Sequence, residues 1–434
     1  MADVAVASAP ETVEAAPPIR WRLARRISFR FLFGYLVLYN ALALSFPPGG
    51  SWIAQFYFKL WEAVCPWVAI HIFGLSGPVT TYFQTGSGDT TLQYVQNFCY
   101  LVVALAATIV WSVLDRRRAH YETLHGWLRI LVRYTLAFTM FGYGFAKVFP
   151  VQFRPANFSR LIEHYGDFSP MGVLWQFMGA SIPYVVFSGA MEVLGGALLL
   201  FRRTTTLGAL ILCAVLANVV ALNFCYDVPV KLYSLQLWLM SIFLLAPDLR
   251  RLFAVLILNR PTASIDLSAP RFQRRWLRIG AIVFQLACIG NVLYGNLTGN
   301  WKRYQDTYVH PKRQPLHGLW EVESFTRNGV AVPPLATDHM RWSKLVVDGP
   351  SGWSVRLMDD TPAPYATTYD AANHSVTLKS YASFTYAQPD PDHLVLTGTA
   401  ASSPVAIGLR RIDPARFLLF SRGFHWISEY PFNR

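Results

Sequence analysis

The sequence predicts a polytopic α-helical membrane protein of about seven spans followed by a small all-β barrel or sandwich domain, and three observations carry that expectation. The 434 residues are 53% hydrophobic and only 15% charged, well above the apolar share of a soluble chain. Apolar runs long enough to cross a bilayer recur along the first two thirds of the chain. Beyond Asn300 they give way to short alternating segments divided by Pro, Gly, Asp and Asn.

Residues 1–19, rich in Ala, Pro and Glu, read as a disordered tail. The transmembrane domain then occupies 20–299, with spans near 29–47, 95–114, 129–149, 184–201, 206–225, 232–247 and 274–294. Arginines alternate between the connecting segments: Arg20, Arg22, Arg25 and Arg26, then Arg116 to Arg118, Arg202 and Arg203, and Arg250 to Arg275 all fall on one side. The positive-inside rule therefore predicts a cytoplasmic amino terminus and a periplasmic or extracellular carboxyl-terminal domain, in a plasma membrane. A net charge of +13 dispersed in this way offers no single basic face for nucleic acid. The expected partners are the bilayer and a membrane or periplasmic protein.

Two further apolar stretches need a place. Residues 51–75 carry Trp and Phe among polar breaks, with Pro66 inside, which fits an interfacial or re-entrant helix. Residues 249–260 are too short to cross and read as an interfacial helix on the cytoplasmic side. From 300 to 434, segments such as "GLWEVESF", "KLVVD", "WSVRLMDD", "SVTLKSY", "HLVLTGT" and "FLLFSRG" predict eight or so strands. A chain of that length removes its sheet edges by closing into a barrel or sandwich. The terminal "EYPFNR" carries aromatics expected to close it.

The five cysteines, Cys65, Cys99, Cys213, Cys225 and Cys288, form no C-x-x-C pair and imply neither a disulfide framework nor a metal cluster. Packed free thiols are expected, with Cys65, Cys99 and Cys225 close enough to one membrane surface for a pair to oxidise. No histidine has an i, i+4 partner on a span, so no metal or haem site is predicted. "GSGDTT" at 86–91 reads as a glycine turn.

The chemistry-bearing residues are the polar groups inside the spans. Glu192 sits about two turns into the fourth span, where a carboxylate costs on the order of 3 kcal/mol unless it pairs, faces the bundle or is protonated. Gly189 and Gly196, at i−3 and i+4, place the acid on the face made small for close helix approach. At about 1.5 Å per residue, Asn218 on the fifth span reaches the same depth, with Lys147 within reach above. Tyr143 shares the face of Lys147, and Asn223, Asp227 and Lys231 gather in the turn before the sixth span. With Gln176, Arg154, Arg160 and His164 these groups predict a polar pocket open to the outer leaflet. The plainer alternative is a salt bridge that fixes helix packing.

At "GYGFAK" (Gly142 to Lys147), "MEVLGGALLLFRRTTTLGAL" (Met191 to Leu210) and "NFCYDVPVKLYS" (Asn223 to Ser234), the chain resembles the DoxX-like family of integral membrane proteins over about 130–250. The resemblance implies a four-helix membrane bundle and an accessory subunit of a quinone-linked or redox-associated complex, with Lys147 and Glu192 at the family's recurring polar positions. Quinone is the cofactor it implies. Three extra spans and a β-domain depart from a minimal member. Gly318-Leu319-Trp320 in turn resembles the G-x-W that opens a lipocalin barrel, which implies a late arginine over Trp320; Arg422 is the candidate, with Arg410 and Arg411 competing. The other readings are an envelope binding or assembly protein whose β-domain captures a lipid or partner, and a small-solute transporter, for which no internal repeat is visible.

The intramembrane pair has a direct test. Glu192→Gln is expected to abolish ligand binding or complex activity in a folded protein, and full activity would reduce the pair to packing. A double substitution of Lys147 and Glu192 should recover stability lost in each single variant; additive losses would show the two do not interact.

Overall fold

The computed structural model describes residues 20–433 except 80, 81, 83, 264–269, 271, 350 and 351. The expected disordered tail at 1–19 lies outside the described residues. The chain divides into two compact units: Met1–Phe141 with Glu192–Tyr294, which is helical, and Gly142–Met191 with Gly295–Arg434, which contains the β-domain. The division does not fall at residue 300 alone, because the segment around 150–180 belongs with the strands.

The helices are α1 (Leu23–Tyr39), α2 (Ser51–His71), α3 (Thr91–Leu114), α4 (Glu122–Val148), α5 (Phe158–Leu161), α6 (Pro170–Gly179), α7 (Ile182–Leu199), α8 (Thr205–Cys225), α9 (Lys231–Leu245), α10 (Leu249–Leu256), α11 (Arg275–Tyr304) and α12 (Leu418–Ser421). A helix overlaps each predicted span, although the one expected at 29–47 stops at Tyr39. Four stretches, Thr91–Leu114, Ile182–Leu199, Arg202–Cys225 and Arg275–Val309, are long and apolar enough to cross a membrane. The remaining three expected spans differ in character: α1 has 17 residues, α9 has 15, and α4 carries Arg129, Arg133 and Lys147 along its length.

Within the helical unit, α2 lays one i, i+4 row, Tyr57, Trp61, Cys65 and Ala69, against α3. The Tyr57 and Tyr100 hydroxyls meet there, and the Trp61 and Tyr100 rings pack edge to face at 5.0 Å. Asn97 on α3 accepts from Tyr35 on α1 at 2.7 Å, and Gln236 on α9 donates to the same tyrosine at 2.5 Å. α7 has room for no side chain where it meets its neighbours. A Cβ at Gly196 would lie 3.0 Å from the Ala137 carbonyl of α4, one at Gly195 2.5 Å from the Leu212 side chain, and one at Gly208 2.9 Å from the Gly195 carbonyl.

In the second unit nine antiparallel strands follow: β1 (Gly318–Arg327), β2 (Val330–Ala331), β3 (Trp342–Val347), β4 (Gly352–Leu357), β5 (Pro362–Asp370), β6 (Ser375–Leu378), β7 (Ala382–Asp390), β8 (His393–Ala400) and β9 (Ser403–Arg411). Successive neighbours pair from β3 to β9, and β1 pairs with both β3 and β9, Trp320 facing Leu345 on one side and Arg411 on the other. This closes an eight-stranded barrel. A bulge between Val322 and Ser324 lets β1 serve both partners. β2 is only the return of a hairpin at its far end, turned by Asn328 and Gly329, both at positive φ.

The barrel interior is filled by Trp320, Trp342, Trp353, Phe384 and a shell of Val, Leu and Ile, all buried. Each indole finds its partner or its packing: Trp320 donates to the Leu316 carbonyl at 3.0 Å and Trp353 to the Tyr369 hydroxyl at 2.7 Å. Two expectations fail here. "FLLFSRG" is not a strand but contains the short helix α12, and "EYPFNR" does not close the barrel. With β9 hydrogen-bonded to β1 no edge is left for either segment to join.

Between β4 and β5, Asp359 accepts from the Thr361 hydroxyl at 2.6 Å, from His339 Nδ1 at 2.7 Å and from the Thr361 amide at 3.1 Å. These bonds, the Thr361 side chain foremost, lower its carboxyl from the ordinary 3.8 to about 2. A carboxylate depressed on folding stabilises fully above its unfolded value, and that contribution disappears as pH falls from 3.8 toward about 2. Asp359→Asn is therefore expected to lower the melting temperature at neutral pH and to flatten its fall through the acid window. A variant whose melting temperature tracks the wild type at every pH would contradict this.

Candidate functional site

Of the residues expected to form one polar pocket, Tyr143 and Lys147 belong to one unit and Glu192, Asn218, Asn223 and Asp227 to the other. Lys147 and Glu192 are both buried, at 7% and 3% exposure. Lys147 holds its ammonium 5.6 Å from the Tyr143 ring centroid, and its own Cβ lies against the α7 backbone at Gly189. Asn218 departs from expectation. It stands on the exposed face of α8, while Leu212, Leu216 and Asn223 form the buried row. Two residues beyond Leu216 is about 200° around a helix, so Asn218 cannot share that row.

Asn223 is buried, and its Nδ2 has no hydrogen-bond partner, while its carbonyl accepts from the Val228 amide at 2.9 Å. Asp227 is exposed at positive φ and pairs with Lys231 at 2.7 Å. That turn owes its shape to a residue that sequence reasoning passed over. Asp89, in the supposed glycine turn, accepts from the Lys231 amide at 2.8 Å and the Leu232 amide at 3.0 Å, capping α9. The cap joins segments 142 residues apart, so no local motif announces it.

Of the polar loop residues expected to line a cavity, His164 is bonded to the barrel and Arg160 to its own segment. Arg160 pairs with Glu163 at 2.6 Å and His164 with Asp360 at 2.5 Å. The Ser159 amide donates to Asp348 at 3.0 Å, and Phe158 and Ile162 pack on Leu319, Val346 and Ile412 of the barrel wall. Tyr308 donates to the Pro150 carbonyl at 2.7 Å. Gln176 Oε1 is buried without a partner.

The arginine over Trp320 is Arg411, at 4.8 Å from the ring, not Arg422. Arg411 faces Trp320 across the β1–β9 ladder, whereas Arg422 lies beyond the last strand and stacks on Phe432 at 4.7 Å. Past α12 the chain exposes Phe424, Trp426, Ile427 and Tyr430, with Trp426 at 92%. Isolated apolar residues on a surface mean little, but here four large ones are exposed within seven positions.

Two buried arginines in the helical unit carry roles the sequence pattern did not single out. Arg30 of α1 makes four hydrogen bonds. It donates to the Tyr121 hydroxyl at 2.7 and 2.9 Å, to Ser112 at 2.8 Å and to the Asp115 carbonyl at 2.8 Å, while Tyr121 donates to Asp115 at 3.0 Å. Arg133 of α4 is equally deep, at 8% exposure, yet its Nε has no partner and its Nη2 reaches only Tyr134 at 3.3 Å. It lines a groove of about 970 Å³ walled by Trp127, Phe138 and Phe284, with Arg202 and Arg278 at its rim. A charged residue eleven positions into an apolar helix is the signal that would have found it. Among the described residues no group of three His, Cys, Asp or Glu side chains is placed to hold a metal ion. All five cysteines are free thiols, with Cys65 and Cys99 hydrogen-bonded to each other.

In comparisons with known proteins, the chain is 33% identical over 132 residues to the "Uncharacterized protein YwoB" of Bacillus subtilis (strain 168), covering 28% of this chain and 78% of that protein. No family model matches. No solved structure matches.

Arg30→Met, which keeps length but removes every donor, should leave Tyr121, Ser112 and the Asp115 carbonyl without their shared partner. A loss of roughly 3 kcal/mol is expected for breaking such a buried network. It would be read as a lower melting temperature in detergent, with faster proteolysis in the 115–121 segment that joins α3 to α4. An unchanged melting temperature would show that Ser112, Asp115 and Tyr121 hold this junction without the guanidinium.

Proposed function

We infer, since the chain belongs to the family of YwoB, whose name assigns no activity, that its function lies in the chain's own surfaces. We propose that the protein is an accessory, non-catalytic subunit of a membrane complex, with its helices as the bilayer anchor and its barrel as a docking module on the outer side. The observation that carries this is the pairing of a closed, filled barrel with a strongly exposed aromatic segment. A barrel whose interior is occupied by three tryptophans and Phe384 has little room for a guest. Its capacity to bind therefore lies on the outside, where Trp and Tyr are the side chains that dominate protein interfaces.

The finer reading is that the complex is redox-associated and that its small molecule is a quinone. What supports it is the DoxX-like resemblance at Gly142 to Lys147 and Met191 to Leu210, together with burial of Lys147 and Glu192. Charges held at that depth in a membrane helix are functional residues by default. The outward placement of the barrel is supported by the distribution of arginines between the helices. The G-x-W stretch with Arg411 over Trp320 supports a lipocalin-like ancestry for the barrel.

The test is mass spectrometry of the protein gently extracted from its own membrane, identifying co-purifying proteins and small molecules together. A redox enzyme with quinone is expected in the wild type. Trp426→Ala with Tyr430→Ala should cut recovery of the partner about tenfold or more, as loss of interface anchors does, while strand amides keep their protection from hydrogen exchange. Full partner recovery by the double variant would remove the docking segment from the proposal. Envelope proteins without any redox component would leave the subunit role standing and replace the redox assignment.

A further inference from the structure

The groove beside Arg133 is built differently from a gap between helices. It is lined by Trp127, Phe138 and Phe284, and among the described residues its lining contains three arginines, Arg133, Arg202 and Arg278, and no aspartate or glutamate. About 970 Å³ lies at the upper end of ligand-cavity size. One wall is α11, whose apolar stretch is only 6% buried within the protein, so the groove opens sideways onto the medium that surrounds the helices. For a membrane span that medium is lipid.

Arg133 decides what belongs there. Its guanidinium is more than nine-tenths buried, stacks 4.9 Å from the Tyr134 ring and leaves Nε unpaired. Arg30, the other deep arginine, shows what this protein does with a structural guanidinium: it surrounds it with acceptors. A buried cation without a saturating set of acceptors is costly. Among the described lining residues the other charged groups, Arg202 and Arg278, have the same sign.

We propose that this groove is the binding site for one anionic phospholipid. The phosphate accepts from Arg133, with Arg202 and Arg278 completing its surroundings at the rim, and the acyl chains run along Phe138 and Phe284. A planar guanidinium matches phosphate oxygens in a paired geometry that a neutral headgroup cannot supply. Basic pockets between membrane helices recognise anionic headgroups on the same grounds. Phosphatidylcholine fits the apolar wall equally well but brings its own cation to a site already holding three.

The full chain, reconstituted in nanodiscs of phosphatidylcholine with or without phosphatidylglycerol, is released into a native mass spectrometer. The wild type is expected to retain one phosphatidylglycerol under activation that strips phosphatidylcholine. Arg133→Gln should lower that occupancy about tenfold, the effect of one charge-assisted hydrogen bond, with unchanged circular dichroism. Should Arg133→Gln fail to fold, the rim double variant Arg202→Gln with Arg278→Gln tests the same site and is also expected to lose retained phosphatidylglycerol. Equal retention of the two lipids by the wild type, or undiminished phosphatidylglycerol in a folded arginine variant, would overturn the assignment.

Discussion

The helical architecture depends on how closely α7 can approach its neighbours. Gly195, Gly196 and Gly208 put backbone against backbone or against leucine at distances where a single added methyl would clash. In the other unit, Gly189 does the same against Gly144 and Lys147. In lipid there is little hydrophobic drive to bring helices together, so close van der Waals packing through small residues has to supply it. Glu192, four residues before Gly196 and three after Gly189, inherits its burial from that face.

Arginine burial shows two solutions to one problem. Moving a guanidinium out of water is unfavourable unless its donors are met. Arg30 meets them with a hydroxyl from α3, the carbonyl of Asp115 and a tyrosine ahead of α4, which also ties three stretches of chain together. Arg129 finds the Leu244 carbonyl at 3.3 Å near the end of α9. Arg133, one turn on, stops short of this, and it is the one that lines a groove. The contrast separates a charge used to hold helices from one available to a ligand.

The barrel applies a different constraint. Closure of β1 onto β9 leaves the strands without a free edge and fills the interior with indoles and branched aliphatics. The segment that follows α4 then uses its charges and its Phe158 and Ile162 to fasten itself to that wall. His164, which looks like part of a pocket mouth in one dimension, is thereby one of the fasteners, and large aromatics stay exposed past α12.

Much of this was legible in the sequence because it is periodic. Apolar length located the helices, two-residue alternation located most of the strands, and the Gly189, Glu192, Gly196 spacing identified the close face of α7. The G-x-W marked the indole at the centre of the barrel, but not its partner: Arg410, Arg411 and Arg422 are equivalent until register puts Arg411 opposite Trp320. Rotation about a helix turned Asn218 away from the buried row, and a cap from a remote loop gave Asp89 its role. "FLLFSRG" has the composition of a strand and became a helix for want of an edge. Local pattern determines which face of an element is apolar; which partner that face meets depends on contacts across scores of residues, and only the folded chain decides those.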